Sequence, residues 1–425
     1  RMWTGPQKVD DVGGEPGYIE EFSDGTLAFT RTSSAETNQL KNPPLPWGSI
    51  YYRNEIVFSR DGGKSWDESA WLADSPFHGD CEVGLAELAP GKLIAATRIG
   101  LGNGRFGQPS RLLFSDDNGR TWDKATPAPF YGQRVHIGKL QSGKLLATYR
   151  NVWGTLGSRA LVFDPAKDIG FQPTSWILEE ERCELGKDML TLRTADGQRG
   201  AVEFSLYPAQ DDESRVEIEA TLRVEQADLN GVAISAGCWV HFTPDRIFLG
   251  DRPETGLSFD TRGWHDYRIL REKGTIKIFA DGKQMLTAPI DDIWVRLVRF
   301  GNRATTGIVG SAAGGREPYL NNQSVSHWRR VSANVNNAQD YSIDWSWDPS
   351  KGYPDQFRRD RTVVLDYAYS ADCGYSSWTQ MKDGSIVILD YTNGGDLDSF
   401  SWGVPGKGTA PIIRSYVVTE NDLTR

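Results

Sequence analysis

The sequence predicts an all-β fold, and three observations predict it. Short apolar segments alternate with turns rich in glycine, aspartate and asparagine, which is typical of antiparallel strands. Apolar residues at the 3.6-residue spacing of a helix are hard to find, although 425 residues suffice for more than one domain. A unit of strand, glycine turn and second strand also recurs along the chain. We therefore expect repeated antiparallel sheets.

The recurring unit is centred on a turn glycine. Four segments align on it, and in each of them an apolar strand follows the glycine and another strand precedes it. The turn glycines are Gly25, Gly91, Gly143 and Gly384. Each unit therefore reads as an inner strand, a turn, a second strand and an outer hairpin. Such a unit is one blade of a β-propeller.

The pattern Ser-x-Asp-x-Gly-x-x-Trp follows a short apolar strand in two places. It runs from Ser59 to Trp66 and again from Ser115 to Trp122. In each copy we expect the Asp to accept bonds from backbone N–H groups and the Gly to adopt a positive φ. The Trp would pack the turn onto its sheet. This pattern is the Asp-box, or BNR repeat, and it resembles the turns of the sialidase (neuraminidase) β-propeller.

The repeat is interrupted between the third and fourth units. An alternating strand at 215–223 is followed by Trp264 and by a hairpin ending in Asp281-Gly282-Lys283. These features resemble laminin-G and concanavalin-like jelly rolls. The sequence therefore predicts a propeller in residues 1–175 and 336–425, interrupted by a lectin-like sandwich in residues 176–335.

The blade count follows from the length outside this insert. About 265 residues at roughly 45 per blade predict five or six blades, of which the repeat shows four. The segment from Tyr341 to Tyr369 is interpreted as either a degenerate blade or a long crossover. Cys183 and Cys238 would pair within the insert, or all four cysteines would be buried thiols.

Charge and composition exclude several classes of function. A formal net charge of −10 argues against a nucleic-acid partner, and no segment approaches the length of a membrane span. No Cys/His spacing indicates zinc, and no Gly-rich phosphate loop follows a parallel strand. The sequence predicts a secreted, periplasmic or cell-surface monomer that uses no metal and no cofactor.

Residues near the ends of the inner blade strands are the candidates for chemistry, because they converge on the axis of a propeller. Nine residues before the turn glycines stand Pro16, Glu82, Arg134 and Tyr375. Near the end of each second strand stand Arg31, Arg98, Arg150 and Tyr391. A pocket rich in arginine suits an anionic sugar, since a guanidinium pairs with a carboxylate in one plane.

The fourth unit is similar to the sialidase segment that bears the nucleophilic tyrosine. It reads Cys373-Gly374-Tyr375-Ser376-Ser377-Trp378, followed by an Asp-Gly turn and an apolar strand. The resemblance implies Tyr375 as the nucleophile of a retaining glycoside hydrolase. A phenol needs a base to take its proton, and Glu82 is the candidate by its position in the repeat.

The acid that would protonate the leaving oxygen has two candidates. Leu27 to Arg31 followed by Glu36 resembles the sialidase stretch in which a substrate-binding Arg precedes the acid, with Glu36 expected on an open loop. Asp80 lies in a denser acidic cluster with Glu82 and competes for the role. The candidate substrate-binding residues are Arg31, Arg98, Arg134, Arg150, His136 and Tyr391.

The chain also departs from the sialidase pattern. Sialidases open with Tyr-Arg-Ile-Pro, whose Arg grips the substrate carboxylate, whereas this chain has Glu15-Pro16-Gly17-Tyr18-Ile19. The candidates for the other two arginines of the sialidase triad are Arg98, Arg134, Arg150, Arg358 and Arg361. The predicted substrate is thus a terminal, anionic sugar of a glycan, and a different acidic glycan or a neutral glycan is the alternative to sialic acid.

Two other functions remain alternatives. Propeller polysaccharide lyases use His and Tyr to abstract a proton beside a uronate carboxylate, and His78 and His136 lie near the starts of inner strands. A glycan-binding protein without catalysis is the second alternative, with Trp153 and Trp402 as candidates for stacking on sugar faces.

Overall fold

The computed structural model describes most of the chain. The described residues are 8–9, 12, 14–36, 50–74, 80–99, 110–123, 125–151, 157–169, 174–175, 182–194, 202–206, 213–229, 231–250, 252–290, 298–302, 323–336, 342–354, 361–368, 373–392 and 411–424. Regular structure in these ranges consists of strands and of short 3-10 helices at Pro253–Thr255, Pro349–Lys351 and Glu420–Leu423. The predicted all-β class is confirmed.

Blades 1 and 2 are four-stranded antiparallel sheets made of consecutive strands. The strands of blade 1 are β1 (Glu15–Glu21), β2 (Leu27–Glu36), β3 (Ile50–Ser59) and β4 (Glu68–Ala73). Those of blade 2 are β5 (Asp80–Ala89), β6 (Lys92–Ile99), β7 (Arg111–Ser115) and β8 (Thr126–Pro127). Blade 3 begins with β9 (Gln133–Lys139), β10 (Leu145–Asn151) and β11 (Gly157–Phe163).

Two packed antiparallel sheets follow blade 3 in the chain and form a β-sandwich. The strands of the first sheet, in spatial order, are β12 (Thr174–Ser175), β15 (Val202–Leu206), β24 (Val298–Asn302), β17 (Val232–Ala236), β18 (Trp239–Thr243), β19 (Arg246–Leu249) and β20 (Leu257–Ser258). Those of the second sheet are β13 (Cys183–Leu185), β14 (Leu190–Thr194), β25 (Ser324–Asn336), β16 (Arg215–Ala227), β21 (His265–Glu272), β22 (Thr275–Ala280) and β23 (Lys283–Pro289), with β26 (Ile343–Trp347) also paired to β25. Their facing side chains share one core, in which the ring centroids of Phe300 and Trp328 are 5.5 Å apart.

The chain then returns to the propeller. Strand β27 (Val363–Tyr367) pairs with β11 and becomes the fourth strand of blade 3. Blade 4 consists of β28 (Gly374–Gln380), β29 (Ile386–Thr392) and β30 (Ile412–Val418). The fold of propeller blades interrupted by a sandwich is therefore as predicted, and four of the expected five or six blades lie in the described residues.

The segment from Tyr341 to Tyr369 is divided between the two parts of the molecule. Its described strands are β26, in the sandwich, and β27, in blade 3. It is therefore neither a separate blade nor a simple crossover. Pairing also assigns β12 to the sandwich; the domain boundaries at 175 and 335 remain predictions.

All four cysteines are thiols in the structure. The alternative of a disulfide between Cys183 and Cys238 is therefore wrong. Burial raises the pKa of the Cys238 thiol to about 11.

The turns have the local geometry that the sequence predicts. The turn glycines of the four blades have φ values of 83°, 80°, 88° and 90° at Gly25, Gly91, Gly143 and Gly384. In the first Ser-x-Asp-x-Gly-x-x-Trp turn, Asp61 Oδ1 accepts hydrogen bonds of 2.9 Å from the backbone N–H groups of Lys64 and Ser65. The left-handed glycines let the blade turns close without a steric penalty. The carboxylate of Asp61 closes the first Ser-x-Asp-x-Gly-x-x-Trp turn by accepting backbone hydrogen bonds.

The inner strands of neighbouring blades approach one another closely. A Cβ on Gly84 of β5 would lie 2.3 Å from the carbonyl oxygen of Val135 in β9, so only glycine fits there. Between blades 3 and 4, the backbone N–H of Trp378 donates to His136 Nδ1 over 3.1 Å. Between blades 1 and 4, the Tyr18 hydroxyl donates to the carbonyl oxygen of Ser376 over 3.0 Å. These contacts bring strands of separate blades together at the axis.

Candidate active site

Three blades share an uncommon backbone feature at equivalent positions. Glu82, Arg134 and Tyr375 have φ values of 50°, 52° and 65°, in the left-handed region that non-glycine residues rarely adopt. Each lies where the pairing of its inner strand shifts register. A register shift of this kind re-aims a side chain that regular alternation would direct elsewhere. The position nine residues before the turn glycine is thus structurally distinct in blades 2, 3 and 4.

The carboxylate of Glu82 is surrounded by donors from blades 2 and 3. Its side chain is only 6% exposed. Oε2 accepts a 3.0 Å hydrogen bond from the backbone N–H of Arg134, and Oε1 accepts from Arg98. Oε1 also lies 3.5 Å from Arg134 Nε and 4.0 Å from Arg150 Nη2. Such an environment stabilises a negative charge away from bulk water.

Tyr375 lies beside the same guanidinium groups. The Cζ atoms of Arg134 and Arg150 are 4.8 Å and 5.4 Å from the centroid of its ring. The ring of Tyr391 meets it edge-on at 6.2 Å. Tyr375 is 42% exposed, so that a ligand can reach it. The phenol and the Glu82 carboxylate therefore share two cationic neighbours.

The arginines are themselves held in position. Arg150 Nη2 donates to Gln133 Oε1 over 2.6 Å, and a Cβ on Gly374 would lie 2.6 Å from Arg150 Cβ. Arg134 also forms an ion pair with Glu15 of blade 1. Among the described residues, the guanidinium groups of Arg98, Arg134 and Arg150 thus lie around the carboxylate of Glu82.

Other predicted site residues have partners of their own. Arg31 is buried and donates to Glu55 on the neighbouring strand, with Nε 3.2 Å from Oε2. Asp80 has no exposed surface; its Oδ1 accepts from Thr97 Oγ1 at 2.6 Å and lies 3.2 Å from Arg111 Nε.

Glu36 is not on an open loop as predicted, because β2 continues to Glu36, which pairs with Ile50. The long register between β2 and β3 extends the strand over this polar stretch. Its side chain lies outside the described structure. So do His78, Trp153, Arg358 and Trp402. Arg361 pairs with Asp168 over 3.0 Å.

A second layer of polar side chains lies beside Tyr375. Tyr18 packs against His136 with ring centroids 4.6 Å apart and ring planes tilted by 32°, and His136 Nε2 lies 4.0 Å from Glu20 Oε1. Burial, with smaller effects of Tyr375, Asp390 and Glu82, raises the pKa of Tyr18 to about 12. Burial alone raises the pKa of Glu20 to about 7 and lowers that of His136 to about 4. All three are therefore held in or near their neutral forms.

Sequence reasoning missed Glu15 and Glu20. Glu20 was visible as the second member of Tyr18-x-Glu20, since alternate residues of a strand share a face. Glu15 had no comparable signal, because its contact with Arg134 joins two blades that are far apart in sequence.

No protein-family model matches the sequence, and no characterised relative does either. The solved structures that are similar to this chain include sialidases and alginate lyases. A sialidase structure matches over 76% of this chain and 32% of its own length, at 14% identity and a TM-score of 0.37. Trypanosoma rangeli sialidase in complex with sialic acid matches over 80% and 69%, at 11% identity and 0.30. An alginate lyase of polysaccharide lyase family 7 matches over 39% and 94%, at 11% identity and 0.29.

None of the helices in the described residues is long and apolar enough to cross a membrane. Within the same ranges, no group of three or more His, Cys, Asp and Glu side chains could hold a metal ion.

Proposed function

We propose that Glu82, Arg134, Arg150 and Tyr375 form the active site of a secreted glycosidase that cleaves a terminal anionic sugar from glycans. One observation carries the proposal: the phenol of Tyr375 and the carboxylate of Glu82 contact the same two guanidinium groups. The four side chains come from three blades. A nucleophile, a base and anion-binding groups converge there, which is the set that a retaining mechanism requires.

Tyr375 is the proposed nucleophile. A phenol has a pKa near 10 and is a weak nucleophile at neutral pH until a base removes its proton. Glu82 takes this proton while the phenolic oxygen attacks the anomeric carbon, and the bond to the leaving oxygen breaks. Water then attacks the anomeric carbon and gives a proton to the acid that protonated the leaving oxygen, while the glycosyl–tyrosine bond breaks and Glu82 returns its proton to the phenolic oxygen. The two guanidinium groups beside the ring stabilise the phenolate as it forms.

The charge of the cluster favours an anionic sugar. The guanidinium groups of Arg134 and Arg150, which lie beside the Tyr375 ring, offer planar donors that pair with a carboxylate of the substrate. A phenol suits this substrate better than a carboxylate nucleophile, because two carboxylates would repel one another. Tyr391 and the exposed edge of Tyr375 provide apolar surface for the sugar ring.

Glu36 is the stronger candidate for the acid that protonates the leaving oxygen. Asp80 has no exposed surface, and its Oδ1 is engaged by Thr97 and Arg111, so a substrate oxygen has no path to it. Glu36 follows Arg31 at the end of β2, as the sequence resemblance implies.

A lyase mechanism has less support because of His136. Its Nδ1 accepts the backbone N–H of Trp378, so the ring proton of the neutral form lies on Nε2, beside Glu20. A histidine with this arrangement has no nitrogen lone pair available to abstract a proton from a uronate ring.

The experiment is a screen of aryl glycosides of carboxylated sugars with the wild type, Tyr375→Phe and Tyr367→Phe. Tyr367 is the matched control, since Arg159 Cζ lies 5.4 Å from its ring but outside the cluster. We expect turnover with retention at the anomeric carbon by the wild type and Tyr367→Phe, and loss of at least ~100-fold in Tyr375→Phe. Ultraviolet-absorbing products from polyuronates would select the lyase instead, and binding without turnover would select the non-catalytic alternative.

A further inference from the structure

The sandwich carries a cationic patch around Trp264 that has no part in the proposed active site. The Trp264 patch consists of Arg223, Glu225, Trp264, His327 and Arg329, on the second sheet of the sandwich and the turn that precedes β21. The guanidinium carbon of Arg329 lies 4.0 Å from the centroid of the Trp264 ring, and that of Arg223 lies 5.6 Å from it. One partly buried indole thus lies beside two guanidinium groups.

A guanidinium group that stacks on an indole is already ordered when an anion binds to it. The ring holds the flat face of the group, so that the N–H donors, which lie in the plane of the guanidinium, stay free to pair with a carboxylate. The rotamer entropy that an arginine loses on binding is then largely lost before the ligand arrives. Arg329 is exposed. In the described structure Asp266 lies 3.6 Å from the guanidinium group of the neighbouring Arg330, and Arg329 has no ion pair there.

The acidic member of the patch does not neutralise both arginines. Glu225 Oε2 accepts a 3.0 Å hydrogen bond from His327 Nε2 and lies 3.8 Å from Arg223 Nη2. Because a carboxylate only accepts, the proton lies on Nε2, and Nδ1 of the same ring accepts from Thr191 over 3.0 Å. Burial lowers the pKa of His327 below its ordinary value, although the hydrogen bond to Glu225 acts in the opposite direction. Two arginines against one carboxylate leave the patch positive on a chain with net charge −10.

We infer that the Trp264 patch is a second glycan-binding site, which takes a carboxylated sugar of an acidic polysaccharide through Arg223 and Arg329. The choice of a glycan rests on the proposed function, because a polymer with repeated carboxylates offers ligands to both the patch and the propeller pocket. The choice of a carboxylate follows from the paired, planar donors of the two guanidinium groups. The patch would hold the polymer near the enzyme and raise its effective concentration at the pocket.

The test measures binding of polymers by the full chain carrying Tyr375→Phe, so that the polymer is not cleaved. Polygalacturonate, dextran sulfate and neutral dextran are titrated by calorimetry against this chain and against the same chain with Arg223→Gln and Arg329→Gln. We expect polygalacturonate to bind, dextran not to bind, and the double substitution to raise the Kd for polygalacturonate about tenfold or more. Trp264→Ala, which releases both guanidinium groups, should weaken binding in the same direction.

Arg268→Gln is the matched control. Arg268 Cζ lies 3.9 Å from the Phe279 ring on the same sheet, but its guanidinium already pairs with Glu217 at 3.1 Å. Its substitution should leave the Kd for polygalacturonate unchanged. The inference is overturned if Arg223→Gln/Arg329→Gln binds polygalacturonate like its parent, or if the parent binds dextran sulfate equally well and thus recognises charge alone. Activity of the wild type on small aryl glycosides is measured separately, so that failure of the proposed function stays distinguishable from failure of the patch.

Discussion

Arg134 and Tyr375 occupy equivalent positions in blades 3 and 4, and the guanidinium carbon of the first lies 4.8 Å from the ring centroid of the second. Both residues are left-handed, with φ values of 52° and 65°, and Glu82 in blade 2 has the same conformation. A non-glycine residue in this region costs on the order of 1 kcal/mol, so three in equivalent positions require compensation from the fold. Their side chains meet in one cluster, which indicates that the bulges serve to present functional groups at the axis.

The role of Glu82 as a base predicts the behaviour of Glu82→Gln. The amide cannot take the phenolic proton, so kcat should fall by about 10²- to 10⁴-fold. The residual activity should rise steadily with pH, because hydroxide from the solvent must then take the phenolic proton. A pH–rate profile of wild type and variant on an aryl glycoside measures both effects.

Glu203→Gln is the control for the loss of a buried carboxylate. Glu203 accepts from Arg299 Nη1 over 3.2 Å in the sandwich, and its side chain is 16% exposed. This variant should lose stability but keep the kcat and the pH profile of the wild type. An unchanged pH profile in Glu82→Gln would contradict the assignment of the base.

Gly374 is predicted to maintain the position of Arg150. Its φ is 80°, and a Cβ there would lie 2.6 Å from Arg150 Cβ and 3.1 Å from Arg150 Cα. Gly374→Ala should therefore combine a left-handed penalty of about 1 kcal/mol with an overpacking cost of about 1–3 kcal/mol. Displacement of Arg150 should also raise KM for an anionic substrate more than it lowers kcat. Urea denaturation and steady-state kinetics measure the two effects.

Gly384→Ala is the control that separates the effect of the contact with Arg150 from the effect of the left-handed backbone. Its φ is 90°, yet a Cβ there would meet nothing within 4 Å. Gly384→Ala should show only the backbone penalty of about 1 kcal/mol, with unchanged KM. Equal effects of the two substitutions would mean that the approach of Gly374 to Arg150 has no functional consequence.

Local turn chemistry made most of the fold predictable. Each blade hairpin depends on a glycine with positive φ followed by an apolar strand, and both features are written in a few consecutive residues. The fourth strand of blade 3 was not predictable in this way. Strand β27 pairs with β11, although the whole sandwich lies between these two strands in the sequence. No residue near Val363 indicates this pairing. Long-range register depends on shape and burial rather than on local pattern.

The candidate site was predictable in its positions but not in its pairings. The repeat indicated Glu82, Arg134 and Tyr375 because equivalent strand positions converge on a propeller axis. Contacts between strands and between blades determine which arginines form an ion pair with a carboxylate. Arg31, for example, faces Glu55 through the register of β2 and β3, which the sequence does not specify.

We expect a substitution in the outer turn of blade 2 to lower the stability of the protein without changing its catalytic activity. Asp117 accepts hydrogen bonds from the Thr121 N–H over 2.9 Å and from the Ser115 hydroxyl over 2.8 Å. These bonds hold Gly119 close to Leu93: a Cβ on Gly119 would lie 3.0 Å from Leu93 Cδ1. Asp117→Ala should lower the thermal midpoint by about 2–4 °C and leave kcat at 25 °C unchanged. Asp61→Ala is the comparison in blade 1 and should have a smaller effect, because Gly63 packs less closely. A fall in kcat with Asp117→Ala would link this turn to the site.

Glu20 and His136 predict opposite dependences of stability on pH. Burial raises the pKa of Glu20 from 4.5 to about 7, so between these values the folded protein holds a proton that the unfolded chain releases. Its contribution to the free energy of unfolding is complete below pH ~4.5 and is lost as the pH rises through ~7. Burial lowers the pKa of His136 from 6.5 to about 4, and its contribution is present above pH ~6.5 and lost as the pH falls through ~4.

Glu20→Gln separates these two contributions, because the amide resembles the protonated carboxyl at every pH. The variant should match the wild type at pH 5 and exceed it at pH 8 by about 1–3 kcal/mol, since the wild type there carries a half-buried charge 4.0 Å from a neutral imidazole. Urea denaturation at both pH values measures the difference. Glu21→Gln, one residue further along β1 and exposed to solvent, should show no such difference. If Glu20→Gln gains nothing at pH 8, the carboxylate of Glu20 is solvated as well in the folded protein as in the unfolded chain, and burial does not raise its pKa.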